Sequence, residues 1–142
     1  MAEEKLLTVN VVTPPDGSVY DEKTPMAVFK TTVGELGILP EHIPLLASLE
    51  IDEVRVKVPG TEDKFDEIAV NGGFVEFSNN IATVVANSAE RKENIDLARA
   101  ERARKRAQER LEKARQEQNI DKQRRAEISL RRALNRLNIS KH

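Results

Sequence analysis

The sequence contains no cysteine and no tryptophan, only two histidines, and five aromatic rings, Tyr20, Phe29, Phe65, Phe74 and Phe77. Without cysteine there can be no disulfide, zinc-thiolate site, iron-sulfur cluster or thiol nucleophile. With His42 and His142 alone, an imidazole metal cage is not expected, and no metal ligand is assigned. No apolar run nears the roughly 20 residues that a membrane span takes. The opening MAEEKLLTVN lacks the basic-then-apolar layout of a secretory signal, so the chain reads as soluble and unexported, with any membrane attachment left to a partner. Phosphate-loop, GxSxG and HExxH patterns are absent, and the carboxylates fall mainly on strand edges and turns. No catalytic residue is therefore assigned.

What is present divides in two. The 142 residues carry a formal net charge of -1. Residues 1–90 hold 6 basic and 16 acidic side chains, whereas residues 91–142 hold 17 basic and 8 acidic ones. Every aromatic, glycine and proline lies in the first part. The character changes near residues 88 to 94, which sets an N-terminal domain at 1–87 and a C-terminal one at 88–142.

The first part alternates like strands between turns. Leu7, Val9 and Val11 alternate with Thr8, Asn10 and Val12 before Thr13-Pro14-Pro15-Asp16-Gly17, and Val54, Val56 and Val58 alternate with Arg55 and Lys57 before Pro59-Gly60. Residues 26–31, 65–70, 74–77 and 81–86 are further strand candidates, separated by Asn71-Gly72-Gly73 and Ser78-Asn79-Asn80, residues that tolerate positive φ. Closely spaced strands without intervening helices indicate an antiparallel sandwich or barrel.

The second part changes period. Ala100, Ala103, Ala107, Leu111 and Ala114 recur at steps of three and four, and a second stripe carries Ala126, Leu130, Ala133, Leu134 and Leu137. Helices are expected at about 94–117 and 122–138, with Asn94 and Asp121 as N-caps. The short Gln118-Asn119-Ile120-Asp121 connection folds them into an antiparallel hairpin. An alanine stripe buries little apolar area at about 25 cal/mol per Å². Glu101 with Lys105 and Glu109 with Lys113 would support each helix singly, so the expectation is a rigid β module carrying weakly docked helices. The fold class is α+β in two parts.

Between the strands runs Val33-Gly34-Glu35-Leu36-Gly37-Ile38-Leu39-Pro40-Glu41-His42-Ile43-Pro44-Leu45-Leu46. Two glycines and two prolines give it fixed, tight geometry, apolar residues anchor it, and Glu35, Glu41 and His42 are expected to point outward. It reads either as a packed turn or as a rigid docking surface. GELGILPEHIPLL here, NGGFVEF at 71–77 and ATVVANSAE at 82–90, followed by two basic helices, resemble the epsilon subunit of the bacterial rotary F-type ATP synthase. The resemblance runs in order over nearly the whole chain. It implies an N-terminal antiparallel β-sandwich of about ten strands and a C-terminal helix hairpin. It further implies a non-catalytic rotor subunit, bound to the gamma subunit in the central stalk and resting on the c ring, on the cytoplasmic side of the cell membrane. Such a subunit couples proton transport to ATP synthesis and restrains hydrolysis. Glu35, with Gly34 and His42, falls at the loop that contacts the c ring in that family.

Ile95-Asp96-Leu97-Ala98-Arg99-Ala100 is similar to the I/LDxxRA motif of those epsilon subunits that bind ATP. By resemblance the ligands are Glu90, Asp96, Arg99, Arg132 and Arg136, with ATP a regulatory ligand and no catalytic cofactor. The last two are placed by their spacing of four, since this hairpin is longer than in some relatives. Spacing agrees with this, since Asp96 and Arg99 share one helix face, as do Arg132 and Arg136. Arginine forks suit phosphate oxygens, and carboxylates suit an amino group or ribose hydroxyl. From spacing alone the same residues read as an ordinary solvated charged face. Low ATP would free the helices to extend along gamma towards the alpha and beta subunits. The alternative from another class is a nucleic-acid-binding arm built on the 17 cations. It lacks stacking aromatics, its charges are interleaved with glutamate, and the acidic domain beside it repels polyanions. Nucleic acid is therefore not the expected partner.

Overall fold

The structure, a computed structural model, describes residues 4–141; His142 lies outside them. The chain forms two compact units that divide between Lys92 and Glu93, rather than at 87/88, because Ala89–Arg91 is itself a strand on the sheet.

The first unit contains β1 (Leu7–Thr13), β2 (Gly17–Thr24), β3 (Ala27–Thr31), β4 (Gly34–Ile38), β5 (Leu45–Lys57), β6 (Phe65–Ser78), β7 (Ile81–Ala86) and β8 (Ala89–Arg91). Hydrogen bonding orders them β2-β1-β7-β6-β5-β3-β4, with β8 also on β6. The sheet is mixed and not purely antiparallel, since β1 runs parallel to β7 from Thr8 opposite Ile81 to Val12 opposite Val85. Among the described residues there are eight strands, roughly consistent with the about ten expected. β5 and β6, of 13 and 14 residues, stay in one register from Leu45 opposite Phe77 to Lys57 opposite Phe65, so each takes the place of two shorter strands. Alternate residues Leu7, Val9 and Val11 of β1 are buried together with Tyr20, Phe29, Ile38, Val54, Val56, Ile68, Val75, Phe77 and Val84 in one apolar core. The period-2 pattern of the sequence is thus the core face of the sheet.

Long β6 changes direction at Gly72 and Gly73, whose φ values are +73° and +122°. A Cβ on Gly73 would lie 2.0 Å from the Val85 carbonyl oxygen of the neighbouring strand, so no other residue fits there. Beyond this point β7 gives way to β8, and the Asn71 N–H donates to the Ser88 carbonyl at 3.0 Å across the gap. β8 therefore continues the edge that β7 began.

The second unit is the helix pair α1 (Leu97–Gln116) and α2 (Ile120–Ser140), preceded by a 3-10 turn at Lys92–Asn94. The N-caps are Asp96, whose carboxylate accepts from the Arg99 N–H at 3.1 Å, and Asn119, which accepts from the Lys122 N–H at 3.1 Å. These replace the expected Asn94 and Asp121, because Asn94 is taken up by the 3-10 turn and Asp121 already lies inside α2. The reversal holds Gln118 at φ 55°, with the Asn119 N–H donating to the Ala114 carbonyl at 3.0 Å. Ala100, Ala107, Leu111 and Ala114 of α1 and Ala126, Ala133 and Leu137 of α2 are buried, the stripes expected from the period. Leu134, placed on the second stripe, is 39% exposed instead. Glu101 pairs with Arg104, one turn on, rather than with Lys105.

Candidate functional site

Asp96 and Arg99 occupy the first turn of α1, and Arg132 and Arg136 the last turns of α2. A short reversal makes the helices antiparallel, so all four belong to the open end of the hairpin. The Glu101 carboxyl is lowered from its ordinary value, first by the Arg104 hydrogen bond and in smaller part by the charge of Lys141 at the end of α2. The side chains differ in their commitments. One oxygen of Asp96 caps α1, which leaves the second for a ligand. Arg99 is exposed, while Arg132 and Arg136 are half-buried. The Nε of Arg132 is buried with no hydrogen-bond partner. Such an unpaired donor costs about 1–3 kcal/mol, and a phosphate oxygen would satisfy it. Glu90 lies on β8, in the first unit, in register with Ala69.

The loop expected at 33–46 is largely sheet. Gly34 and Glu35 begin β4, which pairs with β3 so that Lys30 stands opposite Glu35. Lys30 Nζ donates to Glu35 Oε2 at 2.8 Å, which raises the lysine amine and lowers the carboxyl from their ordinary values. Gly34, at φ +128°, makes the tight return from Val33, which is 94% exposed. His42 does not point outward as expected. Its ring meets Phe77 edge-on with centroids 6.0 Å apart, and its Nδ1 lies 2.7 Å from the Ile43 carbonyl, so it packs the loop onto the sheet. Exposed Ile43 and Leu46 flank it.

Asn80, read only as a turn residue, proves to hold this loop. Its Oδ1 accepts from the Glu41 N–H at 2.9 Å, its Nδ2 donates to the Leu6 carbonyl at 2.8 Å, and its own carbonyl accepts from the Thr8 N–H at 3.0 Å. The sequence signal was the Asn79-Asn80 pair, both at positive φ. A second unforeseen feature is a groove of about 320 Å³ at the turn end of the hairpin, between Arg110, Lys113, Lys122 and Arg125. It lies away from the four residues at the open end. No helix among the described residues is long and apolar enough to cross a membrane.

Residues 6–92 match the family described as the ATP synthase, Delta/Epsilon chain, beta-sandwich domain, and residues 93–141 its long alpha-helix domain. An ATP synthase epsilon chain from Ligilactobacillus salivarius is 65% identical over 142 residues, covering 100% of both chains. Another from Pediococcus pentosaceus is 58% identical over 143 residues, again covering 100% of both. Among solved structures, a chain of the Euglena gracilis mitochondrial ATP synthase (OSCP/F1/c-ring) shares the fold at a TM-score of 0.75 and 19% identity, covering 100% of this chain and 84% of that one. Two family matches end to end, with full-length relatives this similar, place the chain in the ATP synthase delta/epsilon family as an epsilon chain, a non-catalytic subunit of the F-type complex.

Proposed function

We propose that this chain is the rotor subunit that links gamma to the c ring in the central stalk, and that its hairpin restrains ATP hydrolysis under control of bound ATP. The observation that carries the ATP reading is the Arg132 Nε–H of α2, buried without an acceptor, on the helix that pairs with the one opened by Asp96 and Arg99. Phosphates take the arginine forks, and the Asp96 carboxylate accepts from the amino group or ribose.

ATP then acts as a clamp. Bound to the folded hairpin alone, it stabilises that state by about 2.7 kcal/mol at a hundredfold excess over Kd. That is comparable with what an alanine interface supplies. When ATP falls, the helices separate and extend along gamma towards alpha and beta, where their basic surface blocks rotation. Gly34 and Glu35, at the turn from β3 into β4, meet the c ring, which holds the subunit at the cytoplasmic face of the membrane through its partners.

Calorimetric titration of the full chain with ATP, with and without magnesium, tests this. Arg132→Ala should weaken binding about tenfold or more, the loss expected for a charge-assisted hydrogen bond, and should deepen inhibition of the reassembled complex at a given ATP level. Unchanged affinity in that variant would remove Arg132 from the site, and no uptake by the wild-type chain would end the ATP reading.

A further inference from the structure

The groove at the turn end of the hairpin follows from where the alanines fall. On α1, Arg110, Lys113 and Glu117 are spaced by three and four and share one flank, and on α2 Lys122, Arg125 and Ser129 do the same. Ala114 and Ala126 lie buried in the seam between the helices. A methyl group at each leaves the space above the seam unfilled, about 320 Å³ in volume, with the two flanks as its walls. The floor is fixed from both helices. The Ala114 carbonyl accepts from the Asn119 N–H at 3.0 Å and from Gln123 Nε2 at 3.4 Å.

Charge around the groove is one-sided. Four cations line it against the single carboxylate of Glu117, which lies 3.5 Å from Lys122 Nζ. Arg110, Lys113 and Arg125 have no ion pair among the described residues. Arg104, which does not line the groove, is by contrast engaged by both Glu101 and Gln108. A concavity walled by cations of which three are left unneutralised concentrates anions.

We propose that this groove is a binding site for a condensed phosphate anion, of the diphosphate or triphosphate class, held by Arg110 and Lys113 from α1 and by Lys122 and Arg125 from α2. Length decides among anions. From Arg110 to Glu117 the α1 wall runs roughly 10 Å at about 1.5 Å per residue. Carboxylates on one face of an extended acidic peptide recur only every 6.8 Å or about that, so such a strand would bring two of them. Linked phosphates carry at least one charge each in the same span, and guanidinium forks take their oxygens in pairs. Bound there, the anion ties α1 to α2 beside the reversal, at the other end of the hairpin from Arg132 and Arg136.

The test is an NMR titration of the full chain with inorganic triphosphate, read at the amides of residues 110, 113, 122 and 125. These should shift together and saturate. Arg110→Gln or Arg125→Gln should weaken binding about tenfold, as for loss of a charge-assisted hydrogen bond. Glu117→Gln removes the one opposing carboxylate and should tighten binding roughly two- to fivefold, a gain that misfolding cannot produce. Arg104→Gln removes the same charge away from the groove and should change affinity by less than about twofold. Equal weakening in Arg104→Gln would reduce the effect to diffuse attraction by a basic surface and overturn the proposal. Absence of shifts at the groove amides, or tighter binding of an oligoglutamate at the same residues, would overturn it too. ATP should shift these amides as inorganic triphosphate does, since a floor of two methyl groups reads no base; a response to ATP alone counts against the site. In Arg132→Ala the groove titration should be unchanged, which separates this site from the ATP site at the open end, and its loss there would merge the two and end the inference.

Discussion

The two units bury apolar surface in different ways. In the sandwich the buried side chains include Tyr20, Phe29, Phe77, Leu7, Ile38 and Ile68, large groups drawn from five strands. In the helices Ala100, Ala107, Ala114, Ala126 and Ala133 make up most of the buried positions, with Leu111, Asn135, Leu137 and Ile139 the larger exceptions. Since stabilisation follows buried area at about 25 cal/mol per Å², the sandwich is built to keep one shape and the helix pair to be separable at small cost. Helix propensity and caps sustain α1 and α2 individually, so separation need not mean unfolding.

That contrast can be broken from either side. The largest effect should come from Gly73→Ala, which drives a Cβ into the Val85 carbonyl at a backbone conformation alanine resists. A loss of about 3 kcal/mol or more in denaturant unfolding of the sandwich is expected, with the helical circular dichroism of the second unit retained. Loss of both together would show that the units are not independent.

Next, Leu111→Ala removes one of the few large groups between the helices. It should cost about 2–3 kcal/mol locally, seen as faster hydrogen exchange along α1 and α2 while sandwich unfolding is unchanged. Smaller again, Asp96→Ala removes the cap of α1 and should destabilise it by about 1 kcal/mol, read as fraying of residues 97–100. It should weaken ATP binding as well, whereas Asn119→Ala, which uncaps α2 at the far end, should fray its helix and leave ATP affinity alone.

The smallest effect concerns the Lys30–Glu35 pair on β3 and β4. The lowered carboxyl contributes stability that is present above its ordinary pKa of 4.5 and lost as pH falls through the folded value. The raised amine contributes stability that is complete below its ordinary 10.5 and lost as pH rises through the folded value. The pair thus acts between these limits, weakly because Glu35 is exposed. NMR titration should find the Glu35 carboxyl returning to its ordinary range in Lys30→Ala, with no measurable change in Tm.

What could be read in advance follows the same division. The helix stripes were legible because Ala100, Ala107, Leu111 and Ala114 sit at a clean helical period with nothing to interrupt it. The inner strands were legible where one face is buried, as in β1 and the later half of β5. β2 was not, since GSVYDEKT lies at a sheet edge and buries only Tyr20 and Thr24. β4 was hidden for a similar reason, its glycines signalling a turn while backbone pairing to β3 made a strand. Glu35 and the arginine pair of α2 were singled out from local strings and spacing. The hold of Asn80 on its loop was not legible, because it depends on a partner 39 residues away along the chain.

The tight reversal at Gln118 also sets the tempo of any switch. Helices joined through so few residues cannot diffuse apart, and contact across a short tether re-forms in about 10–100 ns for a ten-residue loop. Re-encounter is therefore fast and independent of protein concentration. A ligand at the open end then has no need to bring the helices together; it lengthens the time they stay together. The lifetime of the closed hairpin, and not its rate of formation, is what such a ligand would change.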